Sequence, residues 1–419
     1  MAPQKMLGAC LLAAATLPAV AGGPPLTLDD AFARALADNP RLMAGSFRSR
    51  AAQAYQEQAE QAPPLEIGFD LENVAGNNRT AGLSGAEATL TLSGVLERGD
   101  KASLRGQLAD ARGTLVRTER DIDRLELLAD VAERFIHVVR DQQLLAVAEA
   151  AVALASAAQE EAQRRVDAGA APETESARAT IALADARLDQ EHAEHELKAT
   201  RVSLASLWGE RAPRFGPAQA SLATLPEASA LPDIVAGLER NPQLRRLAEQ
   251  RRIEAARQQL AQGQAATDIR LSGGLRRREE AGDTSLVLGL SVPWGSTQRA
   301  QPGIRASEAE VAAQQRMYQA VRRELYAIVY ARYQEMVHAG TEVAMLRSDI
   351  LPAAQSALEA IQDGYARGRY GYLELATAQE DLIAHRRRFI DAAYRYHRHL
   401  IEIERLTGTA AAAPMEKAS

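Results

Sequence analysis

The side chains that could do chemistry are few and scattered. His192 and His195, in His192-Ala193-Glu194-His195, stand three residues apart. On a helix that spacing brings two imidazoles to one face, a start toward a metal clip. The simpler reading of the pair is a polar helix surface. His397 and His399 are two apart and would not share a helix face. His385 and His399 fall on an apolar seam, where packing is the simpler role for an imidazole. The only cysteine is Cys10. No catalytic constellation stands out, so no enzyme, cofactor or resident metal is expected, and no nucleic-acid partner. What remains is a set of carboxylates, Glu66, Asp70, Glu72 and Glu87, whose regular spacing is the more informative feature.

Those carboxylates alternate with apolar residues. Leu65, Ile67, Phe69 and Leu71 interleave with Glu66, Gly68, Asp70 and Glu72. Period two is the signature of a strand with one apolar and one polar face. After a Gly- and Asn-rich loop, Ala88, Leu90 and Leu92 repeat the pattern. A second hairpin follows in the other half: Ile269 and Leu271, a loop around Arg276 to Asp283, then Leu286, Leu288, Leu290 and Val292. Four strands of roughly nine residues match the length needed by a tilted membrane-barrel strand. If Ile67 and Phe69 face lipid, the four carboxylates face a lumen and would favour cations there. Trp294, after Val292-Pro293, suits a membrane interface.

Long helices position these strands. The 419-residue chain is 46% hydrophobic but only 4% aromatic, with a formal charge of -6. Its Ala, Glu, Gln, Arg and Leu content favours extended helices over a compact α/β core. From Leu375 an apolar seam runs through Ala378, Leu382, His385, Phe389, Ala392, Tyr396, His399, Ile403 and Leu406, alternating steps of three and four. That is the coiled-coil period. Gly368 and Gly371 punctuate a turn just before it, and Gly169 to Pro172 an earlier one.

The whole arrangement occurs twice. Asn39-Pro40 returns 202 residues later as Asn241-Pro242. Gly169, Glu175, Leu207 and Gly209 return 199 residues later as Gly368, Glu374, Leu406 and Gly408. The expected organisation is therefore an export signal at 1–21, ending in Ala19-Val20-Ala21, and a first repeat at 22–214. That repeat holds a helix, a β-hairpin at 65–95 and a helical hairpin at 102–208 with its tip near 169. A linker at 215–230 precedes the second repeat at 231–408, with a β-hairpin at 268–293 and a helical hairpin at 304–407 whose tip lies near 368. Residues 409–419 form a tail.

Four strands cannot close a barrel alone, because open edges in lipid leave backbone groups unpaired. Several chains must share one barrel, and three copies would supply twelve strands. Long helical hairpins beneath it would form a conduit. A soluble periplasmic scaffold is the competing class, but it has no use for two hairpins with apolar faces.

The order and duplication of these motifs resemble the TolC-like outer membrane efflux proteins. The residues concerned are Asn39-Pro40-x-Leu42 and its twin, ILPAAQ at 350–355, GYARGRYGYLELATAQEDL at 364–382, LASLWG at 204–209 and ERLTG at 404–408. FDLENVAG at 69–76 and EATLTLSGVLERGDK at 87–101 are most similar to the outer membrane components of CzcC-type heavy-metal efflux systems, although many of those carry Gly-Gly-Lys where this chain has Gly99-Asp100-Lys101. The resemblance implies a mainly α fold with a small β part. In it, a homotrimer forms a twelve-stranded barrel in outer membrane lipid above a periplasmic helical tunnel. It implies a periplasmic adaptor (membrane fusion) protein docked at the tunnel tip and, through it, an inner membrane RND pump. The cargo would be divalent cations such as cobalt, zinc or cadmium, or else drugs or secreted polypeptides. It places adaptor contact and tunnel closure at Arg165, Val166, Gly169, Glu175, Tyr365, Gly368, Arg369, Leu373 and Glu374. Asp363 and Asp381 are candidate entrance carboxylates.

Overall fold

The computed structural model describes residues 23–78 and 81–409. The expected export signal and the tail beyond Thr409 lie outside these. In chain order come α1 (Leu28–Asp38), α2 (Pro40–Ala59), β1 (Glu66–Glu72), β2 (Glu87–Leu96), α3 (Lys101–Asp167) and α4 (Glu173–Ala205). Then follow α5 (Leu231–Gly237), α6 (Pro242–Gly263), β3 (Ile269–Arg278), β4 (Asp283–Ser291), α7 (Ser296–Met345), α8 (Leu351–Ala366) and α9 (Tyr372–Leu406). Helix, strand, strand, helix, helix is written twice.

Local chemistry sets the starts. Thr27 caps α1 in a reciprocal box: its Oγ1 accepts from the Asp30 N–H at 3.1 Å, and Asp30 Oδ2 accepts from the Thr27 N–H at 3.3 Å. The two Asn-Pro pairs do more than turn the chain. Asn39 Oδ1 accepts from the N–H groups of Arg41 and Leu42, while its Nδ2 donates to the Leu207 carbonyl at 2.8 Å. Asn241 does the same to Gln243, Leu244 and the Leu406 carbonyl, also at 2.8 Å. Each asparagine thus starts one helix and holds the end of another, some 165 residues away. Proline at the first helical position costs no hydrogen bond.

The strands form one antiparallel sheet in the order β1-β2-β3-β4. Register puts Phe69 opposite Leu90, Leu90 opposite Leu275 and Leu275 opposite Leu286. One face is therefore a lattice of leucine, isoleucine and phenylalanine, and these side chains are exposed in the chain. The other face carries charged and hydroxyl residues. Among the described residues, β1 and β4 each leave an unpaired outer edge.

Sixty-seven residues of α3 give a rod of about 100 Å. The seam on α9 is buried or half-buried throughout. A second face of α9, with Tyr372, Ile390, Ala393, His397 and Ile401, is buried as well, because α9 packs on both α3 and α7. His397 and His399 serve these two faces separately. Burial lowers the pKa of both imidazoles below the ordinary value, and His397 Nε2 lies 3.1 Å from the Leu222 carbonyl.

Three boundaries differ from expectation. First, β3 runs to Arg278, so Arg276 and Arg278 belong to a strand and not to a loop; the turn is only 279–282. Second, α7 begins at Ser296, eight residues before the expected Ile304, and accommodates Pro302 in its second turn. Third, the break expected near Pro352 is a π-turn over Leu346–Ile350. Widening the helix there lets the chain carry Pro352 without ending. Residues 215–230, expected as a linker, lie across the helices. Phe215, Ala218 and Leu222 are buried in the core, and Leu26 bridges Ala218 in parallel. Gln142 clamps Ala218 through both its amide oxygen and nitrogen, at 2.8 and 3.1 Å.

Candidate functional site

The two helical hairpins end in the same backbone device. The Ala170 N–H reaches the Arg165 carbonyl at 2.8 Å and the Gly169 N–H the Val166 carbonyl at 2.9 Å. At the second tip the Arg369 N–H reaches the Gly364 carbonyl at 2.8 Å and the Gly368 N–H the Tyr365 carbonyl at 3.0 Å. These are Schellman motifs, and they need a left-handed residue. Gly169 and Gly368 supply it, with φ of 68° and 76°.

Side chains then join the tips. Tyr365 is 1% exposed. Its hydroxyl donates to Glu175 Oε2 at 3.2 Å, and its carbonyl accepts from Arg165 Nη1 at 2.7 Å. The Arg165 guanidinium sits 4.3 Å from the Tyr365 ring centroid, a cation–π contact. Tyr372 meets the same ring edge-on. Burial, and after it the Glu175 carboxylate, push the Tyr365 hydroxyl up to about 12. It stays protonated and remains a donor. Small residues, Ala158, Ala162 and Ala179, fill the core behind it.

Of the expected tip residues, the structure brings Arg165, Glu175 and Tyr365 into one clasp. Glu374 is a helix cap: its Oε2 accepts from the Gly371 N–H at 3.1 Å. Val166 is half-buried, while Arg369 and Leu373 project into solvent. Asp363 pairs with Arg367 at 2.6 Å, one turn along α8. Asp381 is exposed and lines a shallow apolar groove between α8 and α9 with Leu373 and Glu374.

Glu66, Asp70, Glu72 and Glu87 do share the polar face of the sheet, as their alternation requires. They are not its only charges. Arg270 pairs with Glu66 at 2.7 Å, Arg278 with Asp283 at 2.7 Å, and Arg276 reaches both Glu72 and Glu87. Asp70 makes no ion pair among the described residues. The expected acidic wall is a wall of compensated pairs. Arg276 and Arg278, expected in a loop, share the strand parity of Arg270 and so its face, whereas Arg277 falls on the opposite one. His192 and His195 are exposed, and no group of metal-ligating residues occurs among the described residues. Trp208 is buried near Phe215, whereas Trp294 is fully exposed at the end of β4.

The sequence pattern of the family described as outer membrane efflux protein matches residues 32–210 and 234–409. The chain is 26% identical over 388 residues to the cobalt-zinc-cadmium resistance protein CzcC of Cupriavidus metallidurans, covering 92% of this chain and 90% of that one. The solved structure of CusC superposes with a TM-score of 0.77 at 14% identity, covering 94% of this chain and 96% of the other. That of the outer membrane protein VceC from Vibrio cholerae gives 0.76 at 17% identity, with 91% and 96% covered. At such identities these likenesses show the fold. The duplicated match spans both repeats and both tips, and the family is one of efflux ducts rather than enzymes. The chain belongs to the outer membrane efflux protein family, an efflux duct component of the outer membrane with its helical part in the periplasm.

Proposed function

We propose that three copies of this chain close a twelve-stranded barrel in the outer membrane and a helical tunnel below it, a passive duct for divalent heavy-metal cations. The observation that carries the reading is the sheet itself. It is one continuous four-stranded sheet, apolar on one face and polar on the other, open at both edges. In lipid such edges must be paired, and copies of the same chain offer matching partners. The exposed Trp294 at the foot of β4 suits the membrane interface. Likeness to a cobalt-zinc-cadmium resistance protein supports the metal cargo. A periplasmic adaptor docks at the tips, and an inner membrane RND pump supplies the energy through it. Leu373, 65% exposed in the first turn of α9, is an apolar anchor for that adaptor. No catalysis takes place in the duct.

Metal and drug tolerance in a strain lacking the gene tests this, with the wild-type chain or Leu373→Asp reintroduced. The expected result is sensitivity to zinc, cobalt or cadmium, rescued by wild type and not by L373D at equal trimer levels. Sensitivity to drugs without metals would overturn the cargo assignment. Full rescue by L373D would overturn the docking assignment.

A further inference from the structure

Two carboxylates stand directly opposite each other on the polar face. Glu72 closes β1, Glu87 opens β2, and the two are register partners. Opposed like charges repel. Facing carboxylates with an open front are also the ligand type that hard divalent cations take. Arg276, on β3, is seated against both. Its Nη2 lies 3.5 Å from Glu72 Oε2 and its Nη1 3.3 Å from Glu87 Oε2. Its Nε donates to Thr89 Oγ1 at 2.9 Å. Thr89 stands on this open face yet is only 2% exposed, so the arginine lies flat along the wall and covers it. One guanidinium thus spans from β3 across β2 to β1, while Arg270 and Arg278 each serve a single carboxylate. Arg278, opposite Glu87 in register, is the other cation nearby, and its guanidinium is held by Asp283.

We propose that Arg276 is the selectivity-determining residue of the duct's exit: it offsets one of the two charges of the Glu72–Glu87 pair, lies against both carboxylates, and so prevents departing cations from being held there. The inference rests on reading the polar face as the wall of a water-filled lumen. The pair lies at the end of the sheet that carries the β1–β2 and β3–β4 connections, away from the helices, so cargo passes it last. Conduction requires sites weak enough to leave. A bare carboxylate pair in every copy would raise the local cation concentration and lengthen cation dwell.

The test uses the purified full-length protein in planar lipid bilayers. Wild type is compared with R276Q, R276K, E72Q/E87Q and R276Q/E72Q/E87Q. A KCl gradient gives the ratio of potassium to chloride permeability, and CoCl2 is then titrated. R276Q is expected to raise the ratio at least about threefold, since an unscreened carboxylate pair acts at close range on each passing ion. Submillimolar CoCl2 is expected to reduce the R276Q conductance and leave wild type unchanged. The triple variant loses the cobalt response and gives a permeability ratio between those of wild type and E72Q/E87Q, R276K keeps wild-type behaviour, and E72Q/E87Q shifts furthest toward chloride. That last variant keeps Arg276, so the proposal stays testable if R276Q does not insert. An R276Q channel with wild-type selectivity and no response to cobalt would overturn the proposal, as would an unshifted E72Q/E87Q channel. Absence of any conductance from the wild-type protein would instead overturn the duct reading on which it rests.

Discussion

Asn39 and Asn241 illustrate how one side chain does two jobs. Each amide oxygen caps a helix and each amide nitrogen satisfies the last carbonyls of another. Replacing a capping Asn by Ala costs about 1–2 kcal/mol, and the orphaned carbonyl adds to this. Asn241 is 2% exposed, whereas Asn39 is half-buried. We therefore expect Asn241→Ala to lower the apparent melting temperature more than Asn39→Ala; equal or negligible shifts would contradict the double role. Glu404, near the end of α9, gives a pH prediction. Burial raises its carboxyl from 4.5 to about 7. A raised carboxyl penalises the charged form in the fold, so stability is full below the unfolded value and is lost as pH rises through about 7. Glu404→Gln should raise the melting temperature at pH 8 and leave it unchanged at pH 5. A stabilisation of equal size at both would count against the assignment.

At the scale of elements, the glycines separate by what surrounds them. Gly99, at the junction of β2 and α3, has φ of 77°. A Cβ there would lie 2.6 Å from Ala266 Cβ and 2.8 Å from the Gly263 carbonyl oxygen. The tip glycine Gly368 has a similar φ but open space around it. Gly368→Ala should cost only the left-handed strain, about 1 kcal/mol. Gly99→Ala should cost clearly more, since backbone of α6 must move. Thermal unfolding of the two variants side by side checks this, and equal losses would argue against a tight junction. Lys101 beside it is 9% exposed and pairs with Asp268 at 2.7 Å, so the first repeat is pinned to the second at the foot of the sheet.

Local signals made these elements readable from sequence. The heptad steps of α9, the glycines of the tips and the period-two strands are short-range patterns, and each follows from backbone geometry. Two things were not readable. The arginine run at 276–278 interrupts the apolar alternation, so it resembled a loop; the carboxylates that Arg276 meets, Glu72 and Glu87, lie on other strands far away in sequence. The stretch 215–230 is rich in Pro, Ala and Ser and resembled a loose connection. Phe215 and Leu222 are its anchors, and they are buried in a cluster to which α1, α3, α4, α7 and α9 all contribute. The tip clasp has the same character: Arg165, Glu175 and Tyr365 carry no shared local signal, and only the packing of the two hairpins brings them together.

The whole molecule poses a single physical question, namely what covers the apolar face and open edges of its sheet. Water is excluded as a stable answer by the number of exposed leucines on β2, β3 and β4. Lipid outside and neighbouring copies at the edges satisfy both the face and the backbone. The sole cysteine of the full sequence is Cys10, so single cysteines elsewhere can be read cleanly when that residue is replaced. The most direct measurement is a cysteine scan along β4, from Ser285 to Leu290, in intact outer membranes, using a membrane-impermeant maleimide and a lipid-confined quencher. The account predicts strict alternation: positions 285, 287 and 289 label from water, and positions 286, 288 and 290 are quenched by lipid. Uniform labelling from water along the strand would contradict a membrane barrel and with it the duct.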